Sequence, residues 1–307
     1  MARVTTFLGI GGGTTRGGND IIRGSSFNES TFPFTKPSGM SAPQDIHEPL
    51  PAQDLTGQVA VVTGSSRGVG AAIALELATA GADVLVHGFK SETAAAGVVQ
   101  QVQQLGRKST FIKADLAETD CYEQFVEAAW QWQQEVNIWV NNAGADVLTG
   151  QGAEDSFEEK LQRLWQVDVQ GTIGLSRLAG KRMQETETAA PAVILNIGWD
   201  QALWGMAGDS GEMFAAIKGA IMAFSQSLAQ SLAPRVRVNC LAPGWIKTAW
   251  GEQASDSWQQ RAVREALLER WGTPQDVATA ARFLVSPAAA FITGQVIPVN
   301  GGFRYGN

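Results

Sequence analysis

Thr63-Gly64-Ser65-Ser66-Arg67-Gly68-Val69-Gly70 constrains this chain more than any other stretch. It sits between a short apolar run, Val59-Ala60-Val61-Val62, and an alanine- and leucine-rich helical pattern that reaches Ala80. A glycine-rich turn in that context aims backbone N–H groups and the positive end of a helix dipole at an anion, above all a pyrophosphate. Gly64 permits the tight turn, Gly68 lets the backbone approach phosphates, and Gly70 lets the helix close on the strand. Glycine spacing alone is a weak signal. The ordered strand, turn and helix around it make this one specific.

The alternation of short apolar runs and helical stretches continues to the end of the chain. Gly81 closes the first helix as a C-terminal glycine does, and Val84-Leu85-Val86 reads as the next strand. A helix follows with Val98, Val99, Val102 and Leu105 on one face. Phe111-Ile112, Ile138-Trp139-Val140, Val193-Ile194-Leu195, Val236-Arg237-Val238 and Val296-Ile297, the last placed before Pro298, extend the series. Strands this short and apolar, separated by helices, belong in a mostly parallel sheet buried on both faces. The expected fold is α/β: a single doubly wound, Rossmann-like sheet with helices on both faces, spanning residues 52–307 as one dinucleotide-binding domain. Residues 1–51 have no sustained period and read as a disordered leader, with Met40 as an alternative start. Gly9-Ile10-Gly11-Gly12-Gly13 lacks a following helix and is discounted as a second nucleotide loop.

Several function classes fall away. With a formal net charge of −7, the chain lacks the basic face of a nucleic-acid binder. No apolar run approaches the roughly 20 residues that span a bilayer. His47, His87, Cys121 and Cys240 have no metal-ligand spacing, and the cysteines read as reduced side chains of a cytoplasmic protein. A small-molecule partner remains.

Further motifs follow the glycine turn in order: Asp115-Leu116, Asn141-Asn142-Ala143-Gly144, Lys218, Pro243-Gly244-Trp245-Ile246-Lys247-Thr248, Phe291-Ile292-Thr293-Gly294-Gln295 and Asn300-Gly301-Gly302. Together they resemble the short-chain dehydrogenase/reductase family, which reduces or oxidises carbonyls and alcohols with a nicotinamide cofactor. The resemblance implies that Gly64, Ser65, Ser66, Arg67, Gly68, Val69 and Gly70 hold the cofactor phosphates. It places Asp115 and Leu116 at the adenine and Asn142, Ala143 and Gly144 beside the ribose and the sheet. Pro243, Gly244, Ile246 and Thr248 fall at the nicotinamide carboxamide, and Lys218 on the nicotinamide ribose. An NAD-preferring site offers a carboxylate to the ribose 2′-hydroxyl after the second strand. Here His87-Gly88-Phe89-Lys90-Ser91 has none, and Lys90 and Arg67 are placed to pair with a 2′-phosphate. This favours NADP(H) over NAD(H); the plain alternative is two solvated surface cations.

The reaction centre departs from the family pattern. Phe214 stands four residues before Lys218, where the resemblance expects the tyrosine that supplies or takes a proton. In Asn196-Ile197-Gly198-Trp199, Trp199 falls where a serine would hydrogen-bond the substrate oxygen. Asp168, within Val167-Asp168-Val169-Gln170-Gly171, replaces an asparagine. Lys218 alone is retained, and the two tyrosines, Tyr122 and Tyr305, lie outside these segments. Loss of a positioned acid costs about 10²–10⁴-fold, and loss of an oxyanion donor about 10²-fold or more. Two readings stand: an oxidoreductase with an unusual proton donor, and a non-catalytic NADP(H)-binding protein acting by sensing or assembly. Asp200, Asp209 and Glu212 are candidate replacement acids, although each reads first as an exposed loop carboxylate. Trp199, Trp204, Trp245 and Trp250, with Trp258 and Trp271 beside the usual lid, suggest an apolar or aromatic ligand surface or a pocket that has closed. Apolar helix faces at 161–183 and 214–232 correspond to the family's pairing helices, implying a homodimer or homotetramer.

Overall fold

In the computed structural model, which describes residues 54–186 and 192–304, seven strands form one sheet. They are β1 (Val59–Val62), β2 (Asp83–Gly88), β3 (Ser109–Lys113), β4 (Ile138–Asn141), β5 (Ala192–Ile197), β6 (Val236–Pro243) and β7 (Val296–Val299). The spatial order is β3-β2-β1-β4-β5-β6-β7 and every pairing is parallel. The chain winds outward from β1 to β3, then crosses back to place β4 on the other side of β1. The crevice at the carboxyl ends of β1 and β4 is therefore the topological switch point, where such sheets take ligands. The leader expected over 1–51, Met40 and Tyr305 lie outside the described residues.

The helices are α1 (Gly68–Thr79), α2 (Glu92–Gln104), α3 (Cys121–Gln133), α4 (Phe157–Leu164), α5 (Gly171–Glu185), α6 (Asp209–Leu232), α7 (Ala249–Gln253), α8 (Asp256–Glu265) and α9 (Pro274–Val285). Strand alternation sends Ala60 and Val62 to one face, against α1, α2 and α9, and Val59 and Val61 to the other, against α3, α5 and α6. Residues of β1, β4, β5 and β6 are buried throughout, so β1 and the stretches Ile138–Val140 and Ala192–Leu195 read as apolar runs rather than alternation, while β6 buries Arg237 and Asn239 as well. A capping box of Ser156 and Glu159 starts α4, and a π-helical turn, Trp165–Gln170, joins it to α5. Asp168 sits in that turn.

Some expectations need correction. Leu105 is 45% exposed, because α2 ends at Gln104 and Leu105 turns away with Gly106. β7 does not stop before Pro298 but runs through it to Val299; on this edge strand a missing N–H breaks no ladder bond. Arg237 is buried within β6 and donates to the carbonyls of Leu284, Ile292 and Ser286. Along the segments 161–183 and 214–232, Leu164, Leu175, Ala179, Met183, Ile217, Ile221 and Leu228 are buried in the core of the fold. Trp165 stays 47% exposed.

Candidate cofactor and reaction site

The turn after β1 lies flush against the segment after β4. Thr63 N donates to the Val140 carbonyl, and the Thr63 hydroxyl accepts from the N–H groups of Asn142 and Ala143. Asn142 Nδ2 donates back to the carbonyls of Thr63 and Gly64, each at 3.1 Å. Gly64 has φ +62°, and a Cβ there would lie 2.6 Å from Ala143 Cα. His87 fixes the other flank: Gly64 N donates to its Nδ1 at 2.9 Å, so its Nε2 carries the proton toward the Ala114 carbonyl. Burial pushes the His87 pKa down to about 4.

The cradle fits a dinucleotide. The N-cap of α1 is Arg67, no side chain caps the helix, and no acidic residue occupies its first turn, so its leading N–H groups suit an anion. Gly68 has φ +59° and open space where a Cβ would stand. Ser65 is buried and tied to Val62 and His87, while Ser66 packs on Gly88 at the end of β2. Arg67 and Lys90 are exposed at the rim, and neither forms a salt bridge among the described residues. Asp115 caps the turn after β3 by accepting from Ala117 N, and Leu116 is buried beneath Gly171. Val69 packs on the core from the first turn of α1.

Asp168 joins this cradle to Lys218 and the middle of α6. One carboxylate oxygen accepts from Ala145 N at 2.8 Å, and the other from Lys218 Nζ at 2.9 Å. The carboxylate is 2% exposed, and a Cβ on Gly144 would meet it at 2.9 Å. An asparagine amide would offer one acceptor oxygen where the acid offers two, and no charge, so the acid makes a buried ion pair out of this position. Phe214 lies one turn before Lys218 on α6, and Trp199 packs edge-on against it, with ring centroids 6.2 Å apart. Tyr122, read as lying outside these segments, is buried on α3 with its hydroxyl donating to the Leu116 carbonyl.

Pro243, Gly244, Ile246 and Thr248 follow the carboxyl end of β6. Beneath Gly244 lies Asp200, which contradicts the expectation of an exposed loop acid: it is 2% exposed, whereas Asp209 and Glu212 do lie at the surface. Asn300 Nδ2 donates to its Oδ2 at 2.9 Å, while its Oδ1 has no partner. Burial, reinforced by Glu265, pushes Asp200 up to about 6 despite the Asn300 bond. Glu265 itself gathers Arg261, Trp245 and Gln201. Four indoles, Trp245, Trp250, Trp258 and Trp271, pack on one another at centroid separations of 5.4–6.5 Å, with the Arg261 guanidinium over two of them. Of this network, sequence reasoning named Asn300 only as part of the motif Asn300-Gly301-Gly302, and it missed Gln201, Arg261 and Glu265. No motif signals those three, because they converge only once the segment after β6 and the chain end have folded over the sheet.

His87 and Asp200 have opposite effects on acid stability. The depressed pKa of His87 contributes stability that is present above 6.5 and lost as pH falls toward 4. The raised pKa of Asp200 contributes stability that is present below 3.8 and lost as pH rises through 6. Each shift corresponds to about 3 kcal/mol, so in the parent protein they nearly cancel between pH 4 and 6. Asp200→Asn, which keeps an acceptor for Asn300, should therefore be more stable than the parent at pH 7.5. Its Tm should also fall more steeply from pH 6.5 to 4. Calorimetry giving the same pH profile for both proteins would refute this account.

Among the described residues no group of histidine, cysteine and acid side chains could hold a metal ion, and no helix is long and apolar enough to cross a membrane. The family model for enoyl-(acyl carrier protein) reductase matches residues 64–304. An uncharacterized oxidoreductase of Methylorubrum extorquens is 35% identical over 254 residues, covering 81% of this chain and 99% of that protein. The 3-oxoacyl-[acyl-carrier-protein] reductase FabG of Aquifex aeolicus is 34% identical, covering 81% of this chain and 98% of its own length. Among solved structures, a short-chain dehydrogenase of Burkholderia cenocepacia in complex with NADP superposes with a TM-score of 0.72 at 31% identity, covering 81% of this chain and 98% of that one. Motifs, sheet order and matched length agree: this chain belongs to the short-chain dehydrogenase/reductase family.

Proposed function

We propose that the chain is an NADP(H)-dependent oxidoreductase acting on a small carbonyl or alcohol, apolar or aromatic in character, with Phe214 and Trp199 in place of the usual tyrosine and serine. The observation that carries this reading is the complete phosphate cradle joined through Asp168 to a retained Lys218. The cofactor would be held by the turn 64–70, Asp115, Leu116, residues 142–144, Lys218 and the segment from Pro243 to Thr248, and it supplies or accepts a hydride. The aromatic surface of Trp199 and the indole cluster supports an apolar substrate. Steady-state NADPH oxidation over a panel of ketones, aldehydes, quinones and enones tests the proposal. Turnover should stand clearly above that of Lys218→Ala.

A second reading, a non-catalytic NADP(H)-binding protein, is favoured by one observation: Trp199 and Phe214 pack edge-on against each other at the two positions where the family pattern has its serine and tyrosine. NADPH binding without turnover on any member of the panel would select it.

The rim cations support NADP(H) over NAD(H). Two charge-assisted contacts worth about 1.5–3 kcal/mol in total give NADPH at least a ~10-fold tighter Kd than NADH. Calorimetric titration should find this preference reduced in Arg67→Ala; equal affinities in the parent would end the charge argument. We also place the protein in the cytoplasm and read residues 52–307 as one domain that assembles as a homodimer or homotetramer. Sedimentation velocity at micromolar concentration checks the assembly, and a clean monomer refutes it.

A further inference from the structure

The reaction centre lacks a phenol and a serine, yet two donors flank the Phe214 ring. Trp199 is half-buried, its indole N–H is not sealed in the core, and it has no hydrogen-bond partner among the described residues. An indole N–H donates hydrogen bonds but does not release its proton in water. Lys218 is the second donor. Of its three N–H bonds, one goes to Asp168, the single hydrogen-bond partner it has among the described residues. Phe214 and Lys218 are one turn apart on α6 and so share a face. Gly198, which precedes Trp199, packs against Cys240, and the Cys240 thiol lies within the field of Lys218. The ends of β5 and β6 and the middle of α6 therefore converge here. Asp168 and Cys240 are the titratable groups that face Lys218 across this junction.

We propose that Trp199 and Lys218 jointly receive the substrate oxygen, the indole N–H as hydrogen-bond donor and the Lys218 ammonium as the acid. This rests on the oxidoreductase reading. When a hydride from the reduced nicotinamide reaches the carbonyl carbon, the C=O π pair moves onto oxygen. An O–H bond forms as one Lys218 N–H bond breaks, giving the alcohol and a neutral amine. The amine regains its proton from solvent, held in place by Asp168. A lysine used this way needs a carboxylate anchor that leaves two N–H bonds free, which the acid at 168 provides and an asparagine amide would supply less firmly.

Trp199→Phe keeps an aromatic ring and removes the donor with part of the ring volume. It should lower kcat by about 10²-fold, with NADPH affinity within about threefold of the parent. Lys218→Arg keeps a cation for Asp168 but holds its proton, and should lose about 10²–10⁴-fold in kcat while still binding NADPH. Lys218→Ala should regain part of its turnover with added ethylamine, which a purely structural lysine would not do. In the NADP⁺-loaded protein, benzoate serves as an oxyanion probe and should bind about tenfold more weakly to Trp199→Phe. Full turnover in Lys218→Arg, or no ethylamine rescue, overturns the acid role. Unchanged kcat and benzoate affinity in Trp199→Phe overturn the donor role. If the parent itself turns over nothing, the oxidoreductase reading and the proton step fail together. Benzoate affinity that still falls in both Trp199→Phe and Lys218→Ala then upholds the oxygen site, and affinity unchanged in either overturns it.

Discussion

Gly70→Ala is expected to weaken NADPH binding by about 10–100-fold while leaving the sheet intact, because the turn that faces the phosphates must give way at an overpacking cost of about 1–3 kcal/mol. The added methyl would stand 2.3 Å from Asn142 Nδ2 and 2.4 Å from the Gly64 carbonyl oxygen. The first neighbour is the end of a side chain that can swing away. The second is the backbone of the turn itself, and it cannot. Overpacking of this kind costs about 1–3 kcal/mol, and the relief available is to lift the turn off Asn142, breaking the two 3.1 Å bonds that hold it. Gly68→Ala is the informative contrast. It meets nothing within 4 Å, and its φ of +59° costs only the left-handed penalty of about 1–2 kcal/mol. Fluorescence titration of both variants, with circular dichroism as a check on folding, separates shape from strain. If Gly70→Ala binds NADPH within threefold of the parent, the close approach does not govern the cradle.

The cradle was legible because its meaning lies in local order: a strand, glycines at fixed steps and a helix fall within residues 59–79. The strands were legible for a related reason. Val59–Val62 and Ala192–Leu195 are buried on both faces, so nothing polar interrupts them. The reaction centre was half legible. Sequence identified Phe214, Trp199 and Asp168 as departures, but not that Asp168 would pair with Lys218. That pairing depends on the π turn at Trp165–Gln170, and an extra residue in a helical turn leaves no trace in a periodic pattern.

Asp200 marks the limit of local reading. A polar residue just after a strand reads as loop, and it is buried only because Asn300, a hundred positions later, and Gly244 close over it. The four indoles present a similar case. Their spacing from 245 to 271 has no period, and their convergence depends on the path of α7 and α8. Such contacts are set by tertiary closure, which no window of sequence contains.

Arg237→Met should separate stability from cofactor binding, lowering Tm by about 10 °C with NADPH affinity unchanged. In Val236-Arg237-Val238 an arginine between two buried valines looks like the outward residue of an alternating strand. It instead turns under the end of α9, where its Nη1 donates to Leu284 at 2.9 Å and Ile292 at 3.1 Å, and Nη2 to Ser286 at 3.3 Å. No salt bridge with a carboxylate forms there among the described residues, and the counter-charge is the negative end of the α9 dipole. Burial pushes the guanidinium down to about 10, and its Nε has no partner, so holding the cation there is itself costly. Three charge-assisted bonds worth about 1.5–3 kcal/mol each are thus partly offset, leaving a net loss of about 3 kcal/mol on substitution. Methionine refills the aliphatic volume but leaves the Leu284 carbonyl without a donor, while those of Ile292 and Ser286 keep Asn239 Nδ2 and Ala289 N, so the loss is larger than a cavity alone would give. Lysine should fall between the two, since one ammonium cannot span all three acceptors in the arginine's geometry. The site is insulated from this damage by distance: Arg237 pairs with Val193 near the amino end of the sheet, while Pro243 leaves β6 at the other end. Six residues of strand separate them by about 20 Å. A Tm change below about 2 °C would show that the carbonyls find other donors. A matching fall in NADPH affinity would show that the α9 end and the cofactor segment are coupled through β6.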